Sequence, residues 1–298
     1  MAKPSVNLGR VGVWYGGLDL LPASVGLETA REIEEIGFGA LWIAEGLGRE
    51  PFAWAGSLLS ATRTIPVATG IASIYARGAV TMAAGRNTLA EAFPGRFLLG
   101  LGVSHEIVVE GVRRMDYSRP YSDMAGYLDR MDEVPYRSQL PAVDPGRVLA
   151  ALGPRMLKLS AERANGAHPY FVPPDHTVEA RAILGPDALL APEQMVVLET
   201  DPGEARRIAR TYMKMYLERP NYFNNLRRLG YTEDDWSDGG SDRLVDAIVA
   251  WGDESAIAHR VKQHHDAGAD HVCIQVLPPD PRKPVTDQLR RLGPALLS

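Results

Sequence analysis

The chain has 298 residues, of which 45% are hydrophobic and 23% charged, the proportions of an ordinary globular protein able to bury a large core. Its net charge of −5 and pI near 5.8 offer no broad positive field for a nucleic-acid backbone, so no nucleic-acid partner is expected. A single cysteine, Cys273, excludes an intramolecular disulfide and any multi-cysteine metal site.

The opening residues, MAKPSVNLGRVGVWYGG, carry neither a secretion-type apolar segment nor a run of about 20 apolar residues, so no membrane partner and a cytoplasmic location are expected. The first apolar run, VGVWY (residues 11–15), leads into a helical segment at 24–36. There Val25, Thr29, Ile33 and Ile36 recur at helical spacing, and Gly37 is a candidate left-handed cap. Further apolar runs follow at 40–44, 66–72, 96–103, 147–153, 168–172, 194–200 and 271–278. Helical segments are expected at 51–63, 79–93, 119–134, 154–165, 202–217 and 254–267. Short β-rich runs alternating with amphipathic segments predict parallel strands joined by helical crossovers, and eight such strands close a (β/α)8 barrel. The last run, which contains VCIQV, puts Cys273 on a buried strand. No low-complexity linker interrupts the pattern, so residues 1–298 read as one domain. Residues 104–146 and 218–253 exceed the needs of a crossover. They are expected to be insertions after strands four and seven that shape a pocket, with a subunit interface as the second reading for 218–253.

Reacting groups of such barrels sit at the C-terminal ends of strands. Those ends hold Trp14-Tyr15-Gly16-Gly17, Glu45-Gly46, Gly70-Ile71-Ala72, Gly102-Val103-Ser104-His105 and Gly153-Pro154-Arg155-Met156. In the last of these, glycine permits close approach, proline suits a first helical turn, and the free amides and helix dipole attract an anion. Helix capping alone explains the same residues. His105 has a pKa range suited to proton transfer, although a lone histidine is equally a structural residue. Glu45 is the second candidate catalytic group, and as a buried acid it needs a partner, for which Arg77 is the candidate. Trp14 and Tyr170 offer flat walls for a planar ring. His264, His265 and His271 do not complete a metal site and are expected at the surface. GLGVSH lacks the dinucleotide spacing, and GVSHE lacks the second glycine of a nucleophile elbow.

RFLLGLGVSH, preceded by TLAEAFPG, resembles the R-F-x-L-G-x-G segment of the luciferase-like monooxygenase superfamily and its F-420-dependent oxidoreductases. LWIAEG, VATGIASIYAR and LGPRMLKLSAERANGAHPYFV resemble other segments of that superfamily in the same order. The resemblance implies a barrel binding the deazaflavin coenzyme F-420, with FMN as the alternative, and a homodimer. It also implies a non-proline cis peptide at Gly70-Ile71 that backs the ring. Ala72, Ser104, Trp14 and Tyr170 are then expected to contact the coenzyme, Gly153, Pro154, Arg155 and Met156 to hold its phosphate, and Arg77 and Tyr121 to border the substrate. Hydride would pass between the ring and a small organic substrate, with His105 as acid or base. A coenzyme-binding barrel without turnover is the other reading. Sugar-phosphate dehydrogenases of the superfamily carry a glutamate at the His105 position and a histidine after the strand-two acid. This chain has Gly46 there, which argues against that activity.

Overall fold

The computed structural model describes residues 2–298. Its strands are β1 (Val11–Trp14), β2 (Leu41–Ile43), β3 (Val67–Thr69), β4 (Ala72–Ser73), β5 (Phe97–Gly102), β6 (Arg147–Leu149), β7 (Gly166–Ala167), β8 (Leu189–Leu190), β9 (Glu193–Val197), β10 (Val249–Trp251) and β11 (Val272–Val276). The first helices are α1 (Ala23–Ile36), α2 (Pro51–Ala61), α3 (Ala79–Ala92), α4 (Glu106–Val109), α5 (Pro120–Glu133), α6 (Pro154–Arg163) and α7 (Pro174–Leu184). They are followed by α8 (Pro202–Leu217), α9 (Pro220–Arg228), α10 (Glu233–Trp236), α11 (Asp242–Ile248), α12 (Glu254–Asp266) and α13 (Thr286–Leu296).

Hydrogen-bonded strands run in the order β10-β9-β11-β1-β2-β3-β5-β6-β7-β8, with β4 beside β5, and every pairing is parallel. Only Ala191 and Pro192 separate β8 from β9, so the two are one bent stave shared by both arms of the sheet. Proline cannot donate, and the ladder is carried past it by Ala191 N–H to Ala167 O (3.0 Å) and Glu193 N–H to Pro169 O (2.9 Å). The sheet thereby closes on itself as a (β/α)8 barrel, and β10 takes the remaining edge of β9.

Side chains sort by strand alternation. Phe97, Leu99 and Leu101 join the layer under the helices, while Leu98 lies with Trp42, Ala68, Val148 and Cys273 in the barrel interior. The two glycines of FLLGLG face crowded neighbours. A Cβ on Gly100 would stand 2.0 Å from Thr69 O, and one on Gly102 would stand 2.4 Å from Ile71 Cδ1. Glycine therefore lets β5 lie against the break between β3 and β4. Gly37 caps α1 at φ 102°, as its position predicts.

Several expectations are corrected. The sixth stave is Gly166–Ala167, not 168–172, because Pro169 lacks a donor and Phe171 turns out of extended geometry at φ 60°. The seventh begins at Leu189 rather than 194, and the run at 66–72 is interrupted at Gly70–Ile71. Helices α7 and α13 were not foreseen. The three histidines expected at the surface are not there. His264 is fully buried between Thr177 Oγ1 (2.8 Å) and Gln194 Oε1 (2.9 Å). His271 is buried with Nδ1 on Gly9 O (2.9 Å) and Nε2 accepting from Trp42 Nε1 (3.0 Å). His265 is partly buried against Ala269 O. The His264 and His271 rings are satisfied by residues distant in the chain, which is why their burial is tolerated, whereas Nε2 of His265 is buried without a partner. Among the described residues, no helix is long and apolar enough to cross a membrane.

Candidate active site

The peptide Gly70–Ile71 is cis, and both residues are partly exposed at the barrel mouth. Three contacts fix this break in the third stave. Trp14 Nε1 donates to Gly70 O (3.0 Å), Gly70 N–H donates to Ile43 O (2.7 Å), and the Thr69 hydroxyl bridges Gly100 O and Gly100 N–H (2.8 Å each). Trp14 thus braces the break from below. A Cβ on Gly70 would come within 2.6 Å of the Trp14 indole nitrogen, so only glycine fits above it.

Trp14 packs on Tyr170 with centroids 5.1 Å apart. The Tyr170 hydroxyl donates to Gln275 Oε1 (2.7 Å) and pairs with the Tyr216 hydroxyl (2.7 Å). Tyr222 on α9 completes the wall, 5.4 Å from Tyr216 and 5.3 Å from Phe171. The insertion after β9 therefore covers the mouth, as its length suggests. Beneath this wall, Glu193 is buried, and its Oε2 accepts from Phe171 N–H (3.1 Å). Burial pushes its pKa up to about 8.

His105 is the N-cap residue of α4, following Ser104 at φ 58°, a left-handed conformation unusual for a side-chain-bearing residue. Tyr117 Oη donates to Ser104 O (3.0 Å) and holds that turn. The His105 ring lies 5.5 Å from Tyr222, and its Nδ1 is buried with no hydrogen-bond partner. Burial and the Arg219 charge lower its pKa, while a hydrogen bond from the ring to the Asn221 side chain acts in the opposite direction.

Glu45 occupies a different side of the mouth. Its Oε1 accepts from Arg77 Nη2 (2.6 Å), and its Oε2 accepts from Arg77 Nη1 (2.9 Å) and from Ser73 N–H (2.7 Å). The expected pairing with Arg77 is present, and both side chains are largely buried, 6% and 11% exposed. Arg113 approaches the same carboxylate at 3.6 Å. No contact joins Glu45 to His105. At the sixth helix the Arg155 guanidinium stacks over Tyr121 at 4.3 Å, bringing an expected phosphate ligand onto an expected substrate contact.

The helix start at Gly153–Met156 suits an anion. Gly153 is an N-cap without a side-chain cap, and open space lies beyond its Cβ position. Its carbonyl accepts from Leu157 N–H, whereas the amides of Arg155 and Met156 have no acceptor among the described residues. A partly exposed backbone platform, aromatic walls and an unfilled amide pair in one mouth fit a planar ring carrying a phosphate. Among the described residues, no group of three or more His, Cys, Asp or Glu side chains converges to hold a metal.

Sequence reasoning missed Arg113, Glu193, Tyr216, Asn221 and Tyr222. Tyr216 and Tyr222 had a visible signal in the aromatic-rich stretch TYMKMYLERPNYF. The others become significant only through contacts made in three dimensions.

Comparison with known proteins agrees with this fold. A Mycobacterium tuberculosis protein described as a coenzyme F-420-dependent oxidoreductase is 25% identical over 330 aligned residues, spanning 89% of this chain and 94% of its own length. An F-420-dependent secondary alcohol dehydrogenase, solved with an F-420–acetone adduct, superimposes with a TM-score of 0.74 at 14% identity, covering 99% of both chains. The F-420-dependent tetrahydromethanopterin reductase of Methanopyrus kandleri superimposes with a TM-score of 0.75 at 16% identity, over 97% of this chain and 99% of its own. At these identities the two structures establish a common fold. The sequence model of the luciferase-like monooxygenases matches residues 21–271, and the chain belongs to that family.

Proposed function

We propose that the protein is a coenzyme F-420-dependent oxidoreductase acting on a small organic substrate at the barrel mouth. The observation that carries this reading is the exposed Gly70–Ile71 platform in the same mouth as a helix start with two unfilled amides. The M. tuberculosis relative supports the choice of F-420 over FMN. When bound, the deazaflavin supplies two-electron hydride chemistry and reacts poorly with oxygen.

Gly70, Ile71 and Ala72 back the ring, with Trp14 and Tyr170 bracing them, and Ser104 borders it. The Arg155 and Met156 amides and the α6 dipole hold the phosphate, which Gly153 and Pro154 leave accessible. Burial holds the His105 pKa below its ordinary value, which favours the neutral ring. It exchanges a proton with a substrate oxygen. Tyr170, Tyr216 and Tyr222 exclude water from that side. Glu45, with both oxygens committed, orients Arg77 and the turn at Ser73, while Arg77 and Tyr121 border the substrate space. One barrel domain over residues 1–298, a cytoplasmic location and a homodimer complete this reading.

Quenching of coenzyme fluorescence on titration into the apo-protein tests the assignment. Tight binding of F-420 with none of FMN is expected, and the reverse result replaces this reading with an FMN monooxygenase. In turnover, the acid limb of kcat/KM should inflect below pH 6.5 and vanish in His105→Ala. Coenzyme binding without turnover on a broad panel of alcohols and carbonyls would leave a binding barrel.

A further inference from the structure

We propose that Arg113 is an oxyanion hook, a guanidinium held at the mouth to grip a carboxylate or phosphate of a bound ligand. The idea deepens the functional reading and rests on the mouth being the ligand site. Arg113 lies in the turn after α4, fixed by Arg113 N–H to Val108 O (2.9 Å) and Met115 N–H to Val109 O (3.0 Å). Between them Arg114 takes a left-handed φ of 57°. The Arg113 side chain is only 23% exposed, and its Nε is buried with no acceptor.

Charge partners at the mouth are unequally shared. Arg77 takes both oxygens of Glu45 and also reaches Glu50 at 3.1 Å. Arg113 has only Glu45 Oε1 at 3.6 Å, outside hydrogen-bond distance, on an oxygen already engaged at 2.6 Å. Two acids therefore lie within hydrogen-bond distance of Arg77, whereas Arg113 shares one of them at 3.6 Å and keeps its Nε–H without an acceptor. A buried Nε–H without an acceptor is unfavourable, and the planar fork of the guanidinium matches a carboxylate or phosphate. The missing acceptor is thus supplied by a ligand, either the anionic tail of the coenzyme or an acidic group of the substrate.

Thermal shift with inorganic phosphate, against chloride at equal ionic strength, tests the hook without any coenzyme. Wild type should be stabilised by phosphate, and Arg113→Gln should bind it about tenfold to a hundredfold more weakly. Arg113→Lys, which keeps the charge but loses the fork, should fall between them. An absent phosphate effect in the wild type, or an equal effect in all three proteins, overturns the proposal. Titrations with F-420 and with the same deazaflavin lacking phosphate and glutamyl tail identify the source. Weakening of F-420 alone in Arg113→Gln assigns the hook to the coenzyme tail, and unchanged binding of both assigns it to substrate. Equal weakening of both coenzymes overturns the hook, because it signals a disturbed mouth. If neither coenzyme binds the wild type, the functional reading fails while the phosphate result stands on its own.

Discussion

Replacing Glu45 by glutamine isolates what the buried ion pair contributes. Glutamine keeps the shape and one acceptor for Ser73 N–H, but removes the charge that answers two Arg77 hydrogen bonds at 2.6 and 2.9 Å. Removing one partner of a buried pair costs about 3–5 kcal/mol, because the other charge is left uncompensated. Glu50, 3.1 Å from Arg77 and 51% exposed, offsets part of that cost here. A loss of about 2–3 kcal/mol is therefore expected. Urea unfolding should show a lower midpoint at unchanged slope. Glu45→Leu combined with Arg77→Leu should be less destabilised than the sum of the single changes. Coenzyme affinity should fall as well, since Ser73 and Arg77 bound the turn next to the Gly70–Ile71 platform. Unchanged stability with a vanishing coupling energy would refute this reasoning. If stability and coenzyme affinity were both intact but turnover were lost, Glu45 would be an acid–base residue instead.

Three further outcomes follow from the same structure. Gly100→Ala forces a Cβ to 2.0 Å from Thr69 O and should lower stability by about 2 kcal/mol or more, whereas Gly153→Ala meets open space and should change it by under about 0.5 kcal/mol. Calorimetry on both variants decides the point. Burial holds His168, His176 and His271 down at about 4 and His264 at about 3, so the unfolded chain binds more protons between roughly pH 4 and 6.5. Unfolding free energy should then drop by several kcal/mol, about 2 kcal/mol per histidine, from pH 7 to 5. Glu193, raised to about 8, works the other way and erodes stability as pH climbs from about 4.5 to 8. A flat profile down to pH 5 would contradict the buried neutral rings. Tyr117→Phe removes the hydrogen bond to Ser104 O and should reduce kcat about tenfold through misplaced His105, with KM little changed and stability lowered by about 1 kcal/mol.

Periodicity made most of the barrel legible. The helix expected at 202–217 coincides with Pro202–Leu217, that expected at 79–93 exceeds α3 by one residue, and that expected at 119–134 exceeds α5 by one residue at each end. Local composition succeeds there because each helix buries one face against one stave. It fails where the mouth itself demands apolar residues. The HPYFV run looks like a strand, yet Tyr170 and Phe171 are wall residues beyond the strand's end, engaged with Tyr216 and Tyr222. It fails again for buried polar groups whose partners are far away in the chain. His264 is satisfied by Thr177 across 87 residues, and His271 by Trp42 across 229. Arg113 carries no local signal in the sequence, because its significance rests on its place beside a Glu45 already bound by Arg77 and Ser73.

The most direct measurement is a structure of the protein with F-420 bound. The account predicts the ring against Gly70 and Ile71 and the phosphate on the amides of Arg155 and Met156. A coenzyme bound away from that platform, or a phosphate held only by exposed side chains, would contradict it.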